Sequence, residues 1–276
     1  MRMGMHAIGL MAAVLTAAIP AAAEAKPAKV FDTPEAAAQG MIDALGANTR
    51  AAIEELLGDE HNDTLFTEDE AAEQENRKLA LAAAKEAMSL QEEDSRTRTM
   101  LIGKQQWPVP FPIVKTDAGW QFDTEAGLYE LLARRIGGNE LAAIATLRAY
   151  VEAQREYATT DYDNDDVLEY AQKLTSTEGK KDGLYWEVAE GSNEPASPLG
   201  EFVLEQAGYL SGRDQGDPLR GYDFRILTRQ GDGAPGGRHD YIINGNMIAG
   251  FGLIATPSDY GVTGVMTFVV SQSGKV

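Results

Sequence analysis

From Asn139 to Ala158 the chain carries apolar residues every three or four positions: Leu141, Ile144, Leu147 and Val151, widened by Tyr150 and Ala158. That spacing predicts one amphipathic helix with Asn139 as its cap. About twenty residues at 1.5 Å each make a rod roughly 30 Å long. A rod that is apolar along one side only needs a broad surface to lie on. The C-terminal third offers one, because "LYWEV", "YDFRILT", "DYIIN", "NMIAGFGLIAT" and "GVMTFVV" all read as strands. Asn244-Gly245 suits a tight hairpin turn, since both residues tolerate positive φ. The stripe is expected to face an antiparallel sheet that contains Phe224, Ile226 and Phe268.

The first half reads differently. Thr33 caps a helix that begins at Pro34 and stops at Gly46, and Thr49 starts a short one that ends at Gly58. Thr67 with Glu70 reads as a capping box for a long charged helix running to Leu90. Its Ala, Glu and Lys content favours a helix with a solvated face. "RTRTMLIGK", "WPVPFPIVK" and "GWQFDT" then read as three strands, the last two joined by the "TDAG" turn. The expected class is α+β. N-terminal helices with a small antiparallel sheet fill 26–136, and a long helix on an antiparallel sheet fills 137–276.

The first 25 residues read as a secretory signal: Arg2, a short apolar run from Ala7 to Ile19, and cleavage after Ala23 or Ala25. The apolar run is too short to span a bilayer comfortably. The mature protein is therefore expected to be soluble, periplasmic or secreted, with no stable membrane insertion after cleavage. There is no cysteine, which removes disulfides, thiol nucleophiles and thiolate metal sites. The net charge of −19 is spread evenly, with 12 bases and 21 acids from Lys26 to Ile136 and 11 and 21 thereafter. A chain that negative everywhere repels phosphate backbones, so no nucleic-acid partner is expected.

Chemistry-bearing motifs are few. Asp161, Asp163 and Asp165 alternate, with Asp166 beside them and Glu169 beyond, a composition that suits calcium. The EF-hand pattern fails, because Asp166 stands where glycine is needed and Gln172 where the bidentate glutamate belongs. The run is expected to be a solvated turn that caps a following helix, "DVLEYAQKL", through Asp165 or Asp166, with no metal bound. "GDGAPG" matches G-x-G-x-x-G, but a strand follows it instead of a helix, so it reads as a glycine-rich hairpin loop without a dinucleotide. No other cofactor is expected. Beyond the signal only His61 and His239 remain, in separate units, which excludes a multi-histidine zinc site. The best candidate binding residues are Tyr185 and Trp186, an aromatic pair near "SPLG", together with His239 and Asp240 beside the glycine loop.

The motifs "RRIGGNELAAI", "AQREYA", "GLYW", "SPLG", "GYDFRILTRQG", "APGG" and "YGVTGVMTFVV", in that order, resemble a bacterial family of exported proteins catalogued as a domain of unknown function. The resemblance covers essentially the whole mature chain and implies no activity. The C-terminal half is also similar, more distantly, to the globular heads of type IV pilin-like and pseudopilin proteins, in which a long helix packs on an antiparallel sheet. Pilins open that helix with a membrane-spanning segment. Here Gly137-Gly138 and a whole preceding domain stand in its place, so the likeness implies the fold without filament assembly. The combined expectation is a non-enzymatic binding or assembly module of the cell envelope, with an envelope protein or glycan as partner. The alternative is a periplasmic hydrolase acting on envelope polysaccharide or peptide through acidic residues.

Overall fold

The computed structural model describes residues 25–66, 69–188, 194–200 and 219–276. The segment expected to be a secretory signal lies almost wholly outside the described residues. The chain divides into two compact units after Gly127. Helices and antiparallel sheets occur in both, so the class is α+β. Among the described residues no helix is long and apolar enough to cross a membrane.

In the first unit α1 (Pro34–Ala47) starts where Thr33 Oγ1 accepts the Ala36 N–H at 3.1 Å. It runs through Gly46 and stops at Asn48, whose φ of 55° closes the last turn. A helical glycine costs only about 1 kcal/mol, and packing of Met41, Ala44 and Leu45 outweighs that. Helix α2 (Arg50–Leu57) is capped by Thr49 and ends at Gly58, as the sequence predicts. A single turn, α3 (Asn62–Leu65), follows. Thr67, the expected cap of the next helix, lies outside the described residues; Asp69 caps α4 (Glu70–Glu86) by accepting the Ala72 N–H at 2.9 Å.

Helix α4 stops four residues sooner than its composition suggests. Ala87 turns extended, and Met88–Glu92 forms β1, paired antiparallel with β2 (Thr97–Ile102). Cross-strand pairing overrides local helix propensity here. "WPVPFPIVK" splits at its prolines into β3 (Trp107–Pro108) and β4 (Ile113–Lys115), and β5 is Trp120–Phe122. The sheet order is β1-β2-β4-β5, with β3 on β2. Met100, Ile113, Trp120 and Phe122 meet Ala37, Met41 and Leu56 in its core.

Helix α5 (Thr124–Tyr157) starts fifteen residues before the expected cap. Asp123 Oδ1 accepts the Ala126 N–H at 3.0 Å and opens it. Asn139 is not a cap; its amide donates to the Thr263 carbonyl at 2.8 Å. In the second unit this helix lies on an antiparallel sheet of order β12-β11-β6, where β6 is Tyr222–Leu227, β11 Gly252–Pro257 and β12 Phe268–Ser271. The buried stripe is Ala143, Leu147, Tyr150, Val151 and Gln154, facing Leu253, Ala255 and Val270, with Phe224, Ile226 and Phe268 packed alongside. Leu141, expected in that stripe, is 70% exposed. Among the described residues two short hairpins join this sheet: β7 (Arg229–Gln230) with β8 (His239–Asp240), and β9 (Ile242–Ile243) with β10 (Asn246–Met247). Asn244 and Gly245 turn the second with φ of 53° and 100°.

Two expected elements do not form. "DVLEYAQKL" is irregular rather than helical, and "LYWEV" contributes only a single parallel bridge, Thr175 to Tyr185. The buried Gln154 explains the first. Its Nε2 donates to the Ala171 carbonyl and its Oε1 accepts the Ala171 N–H, both at 2.8 Å. A backbone that spends both groups of residue 171 on a side chain cannot also close a helical turn.

Candidate functional site

The segment that leaves α5 builds two clefts in the second unit. Gln154 pins Ala171 to the helix, and Gln172 Nε2 donates to the Gly245 carbonyl at 2.6 Å, tying the segment to the β9–β10 turn. Residues 173–177 then run beside 183–186. Leu184 N–H donates to the Lys173 carbonyl, Tyr185 N–H to Leu174, and Ser176 N–H to Tyr185. Gly183 allows this approach, since a Cβ there would sit 2.7 Å from the Ser176 nitrogen. Between the two runs the loop 177–182 closes on Asp182. One of its oxygens accepts the Thr177 N–H, and the other accepts the Thr177 hydroxyl and the Lys173 ammonium at 2.9 and 2.7 Å. The Lys173 bond, with the Thr177 donors behind it, holds the Asp182 carboxyl down to about 2.

Beneath this loop lies an aromatic row. The rings of Tyr157 and Tyr162 are 4.7 Å apart, and Tyr162 meets Trp186 edge-on at 5.3 Å. The Tyr157 hydroxyl donates to the Lys181 carbonyl at 2.7 Å, and Lys181 Nζ sits 5.6 Å from the Trp186 ring centre. Burial, with Glu169, Asp163 and Asp182 nearby, pushes the Tyr157 hydroxyl well above its ordinary value, so it stays a donor.

One cleft, of about 710 Å³, is lined by Tyr157, Tyr162, Asp163, Glu169, Lys173 and Asn246 among others. The other, of about 610 Å³, is lined by Thr175, Glu178, Tyr185, Trp186, Glu187 and Glu194. Gly179, Lys180 and Lys181 line both and form the wall between them. These volumes fall in the range of ligand sites. A smaller hollow of about 380 Å³ in the first unit is lined by Lys29, Gln39, Asp43 and Glu55. Its polar groups answer one another, Lys29 to Glu55 and Gln39 to Asp43, which leaves less for a ligand.

Asp161, Asp163 and Asp165 place one carboxylate oxygen each within 4.8 Å of one another. Asp161 accepts the N–H groups of Asn164 and Asp166 at 2.7 and 3.0 Å. The missing glycine does not stop the turn from closing, because Asn164 and Asp166 themselves adopt φ of 63°. Asp165 accepts the Val167 N–H and the Asn246 amide, but no helix follows for it to cap. Glu169 accepts the Met247 N–H at 3.0 Å. Desolvation first, and the charges of Asp163 and Asp165 after it, raise the Glu169 carboxyl above the usual range. Among the described residues these three aspartates are the group whose spacing could hold a metal, and calcium wants six to eight oxygens.

Of the four residues singled out in the sequence, Tyr185 and Trp186 line the second cleft. His239 and Asp240 line neither. They are successive residues of β8, so their side chains point to opposite faces. His239 sits edge-on to Tyr241 at 5.6 Å, and Asp240 stands opposite Arg229. The glycine-rich loop beside them is wrapped on Gln230, whose amide donates to the Pro235 and Gly237 carbonyls at 2.8 and 2.6 Å. "SPLG" comes beside this pair: the Leu199 N–H donates to the carbonyl of Leu184, the residue before Tyr185, and Leu199 belongs to the same buried cluster as Trp186. Sequence reasoning missed Gln154, Asp182, Lys173 and Lys181. Gln154 was detectable as a polar residue one turn beyond Tyr150 on the apolar stripe.

No curated protein and no solved structure matches the chain. The family model described as "Protein of unknown function (DUF2950)" matches residues 28–276. That span takes in both units and both clefts, and the chain belongs to the DUF2950 family.

Proposed function

We propose that the protein is an exported binding module of the cell envelope, and that the paired clefts are its ligand surface. The observation that carries this reading is the wall of loop 177–182. It is fixed on Asp182, it stands over an aromatic row, and it presents charged groups into two adjoining hollows. Such a surface suits a polar envelope ligand, a glycan or a peptide, held by ring contacts and hydrogen bonds. Export rests on Arg2, the short apolar run and the alanine-rich stretch after it. The long helix on a three-stranded antiparallel sheet supports a pilin-head-like second unit without a polymerising segment.

A second reading has one observation in its favour. Glu169 is raised and Asp182 is held down to about 2 in a single cleft, and carboxylates pushed apart in this way suit acid–base hydrolysis. Calorimetric titration with soluble peptidoglycan and polysaccharide fragments, followed by mass spectrometry of the mixture, separates the two. The binding reading expects a saturable isotherm and unchanged fragments. Cleavage that disappears in Glu169→Gln would replace it with the hydrolase.

A further inference from the structure

Asn244-Gly245 is the chain's single asparagine–glycine pair, and it forms the whole of the β9–β10 turn. Both residues are exposed, with φ of 53° and 100°. Asparagine is the labile member of such a pair, because its side-chain carbonyl carbon lies next to the following main-chain nitrogen. Hydrogen bonding of either group, or crowding by the following side chain, ordinarily holds the two apart. Neither operates here. Among the described residues the Gly245 N–H has no acceptor and the Asn244 amide has no partner. Gly245 has no side chain, and a Cβ there would meet nothing within 4 Å. Comparable positions are held. Asp182, before Gly183, accepts from Thr177 and Lys173, and Asp232, before Gly233, accepts from Arg238 at 2.9 Å. Asn246 gives its amide to Asp165 at 2.7 Å and precedes the larger Met247.

We propose that Asn244 is a site of spontaneous modification, and that its conversion releases the cleft segment from the β9–β10 turn. The Gly245 nitrogen attacks Asn244 Cγ and forms a new Cγ–N bond. The Cγ–Nδ2 bond breaks, and ammonia leaves with the Gly245 proton. Water then opens the five-membered imide. Opening at Cγ gives aspartate at 244; opening at the main-chain carbonyl gives isoaspartate, whose backbone runs through the former side chain. The sum is asparagine and water to carboxylate and ammonium, with nothing oxidised or reduced. Either product adds a negative charge. Isoaspartate also puts an extra backbone atom into a two-residue turn. Such a turn sets the pairing of its strands, here Asn246 with Ile243. The Gly245 carbonyl then moves off Gln172, and a tie in the wall of the larger cleft is lost. This chemistry is independent of the binding-module reading, and its test uses no ligand.

The test is incubation of the purified protein at mildly alkaline pH beside a synthetic peptide of residues 240–248. Isoelectric focusing, peptide mapping by mass spectrometry and isoaspartyl methyltransferase labelling follow both. The protein is expected to gain an acidic form, one charge more negative, with aspartate and isoaspartate at 244. Asn244→Gly keeps the positive φ without the amide, and is expected to lose that form. Hydrogen exchange at 170–173 is expected to speed up in the isoaspartate fraction. It is expected to stay at the parent rate in Asn244→Asp, which has the charge without the extra backbone atom. An Asn244 that survives while the peptide converts overturns the site, as does an acidic form that arises undiminished in Asn244→Gly. Conversion that leaves exchange at 170–173 unchanged overturns the release of the segment. Equal speeding in Asn244→Asp overturns the role of the lengthened backbone.

Discussion

Two carboxylates within one short stretch respond to acid in opposite senses. Asp182 is held down to about 2 by Lys173 first and Thr177 after it. Its folded value lies below the ordinary 3.8, so its contribution is complete above that pH and disappears as pH falls to about 2. Asp182→Asn is expected to lower the melting temperature at pH 7, and the gap from wild type should close between pH 4 and pH 2. Asp163 is raised, by desolvation first and then by Asp165 and Asp161. Its stabilisation is present below 3.8 and lost as pH rises through the raised folded value, so the ionised carboxylate at pH 7 is a burden. Asp163→Asn is expected to melt higher at pH 7, with the advantage gone in acid and reduced by salt. Melting curves of both variants from pH 2 to pH 7 check the pair; a stabilising Asp182→Asn would remove the loop anchor from this account.

At the scale of elements, α5 decides the second unit. Leu147 is fully buried between the helix and its sheet. Leu147→Ala should cost about 2–5 kcal/mol in denaturant unfolding. Gly137 and Gly138 lie inside α5, and an added Cβ would meet nothing within 4 Å at either position. Neither packing nor a positive φ calls for glycine there. Gly138→Ala should therefore stabilise by about 0.5–1 kcal/mol, and a loss of stability would show that the local backbone is not helical.

Periodicity explains what was legible here. The 3.6-residue spacing of Leu147, Val151 and their neighbours identified a helix on a sheet, and Asn244-Gly245 identified a hairpin. Glycine and Asn139 misplaced the start of the helix, because breaker residues weigh heavily in a sequence and lightly in a helix held by its packing. The wall of the clefts was illegible for another reason. Gln154 and Asp182 join positions through their side chains, and the Thr175–Tyr185 bridge joins them through the backbone, at separations no local pattern records. Tyr185 and Trp186 were found because an aromatic pair is conspicuous by composition alone. His239 and Asp240 were adjacent in sequence, and strand alternation turns them apart.

For the whole molecule, the central claim is that the clefts bind an envelope ligand without transforming it. Hydrogen exchange of the mature chain with and without a soluble cell-wall digest tests this most directly, with the digest analysed before and after. The account predicts saturable protection of backbone amides across 169–187, centred on the 177–182 loop, and an unchanged digest. Protection confined to other segments, or consumption of the digest, would contradict it.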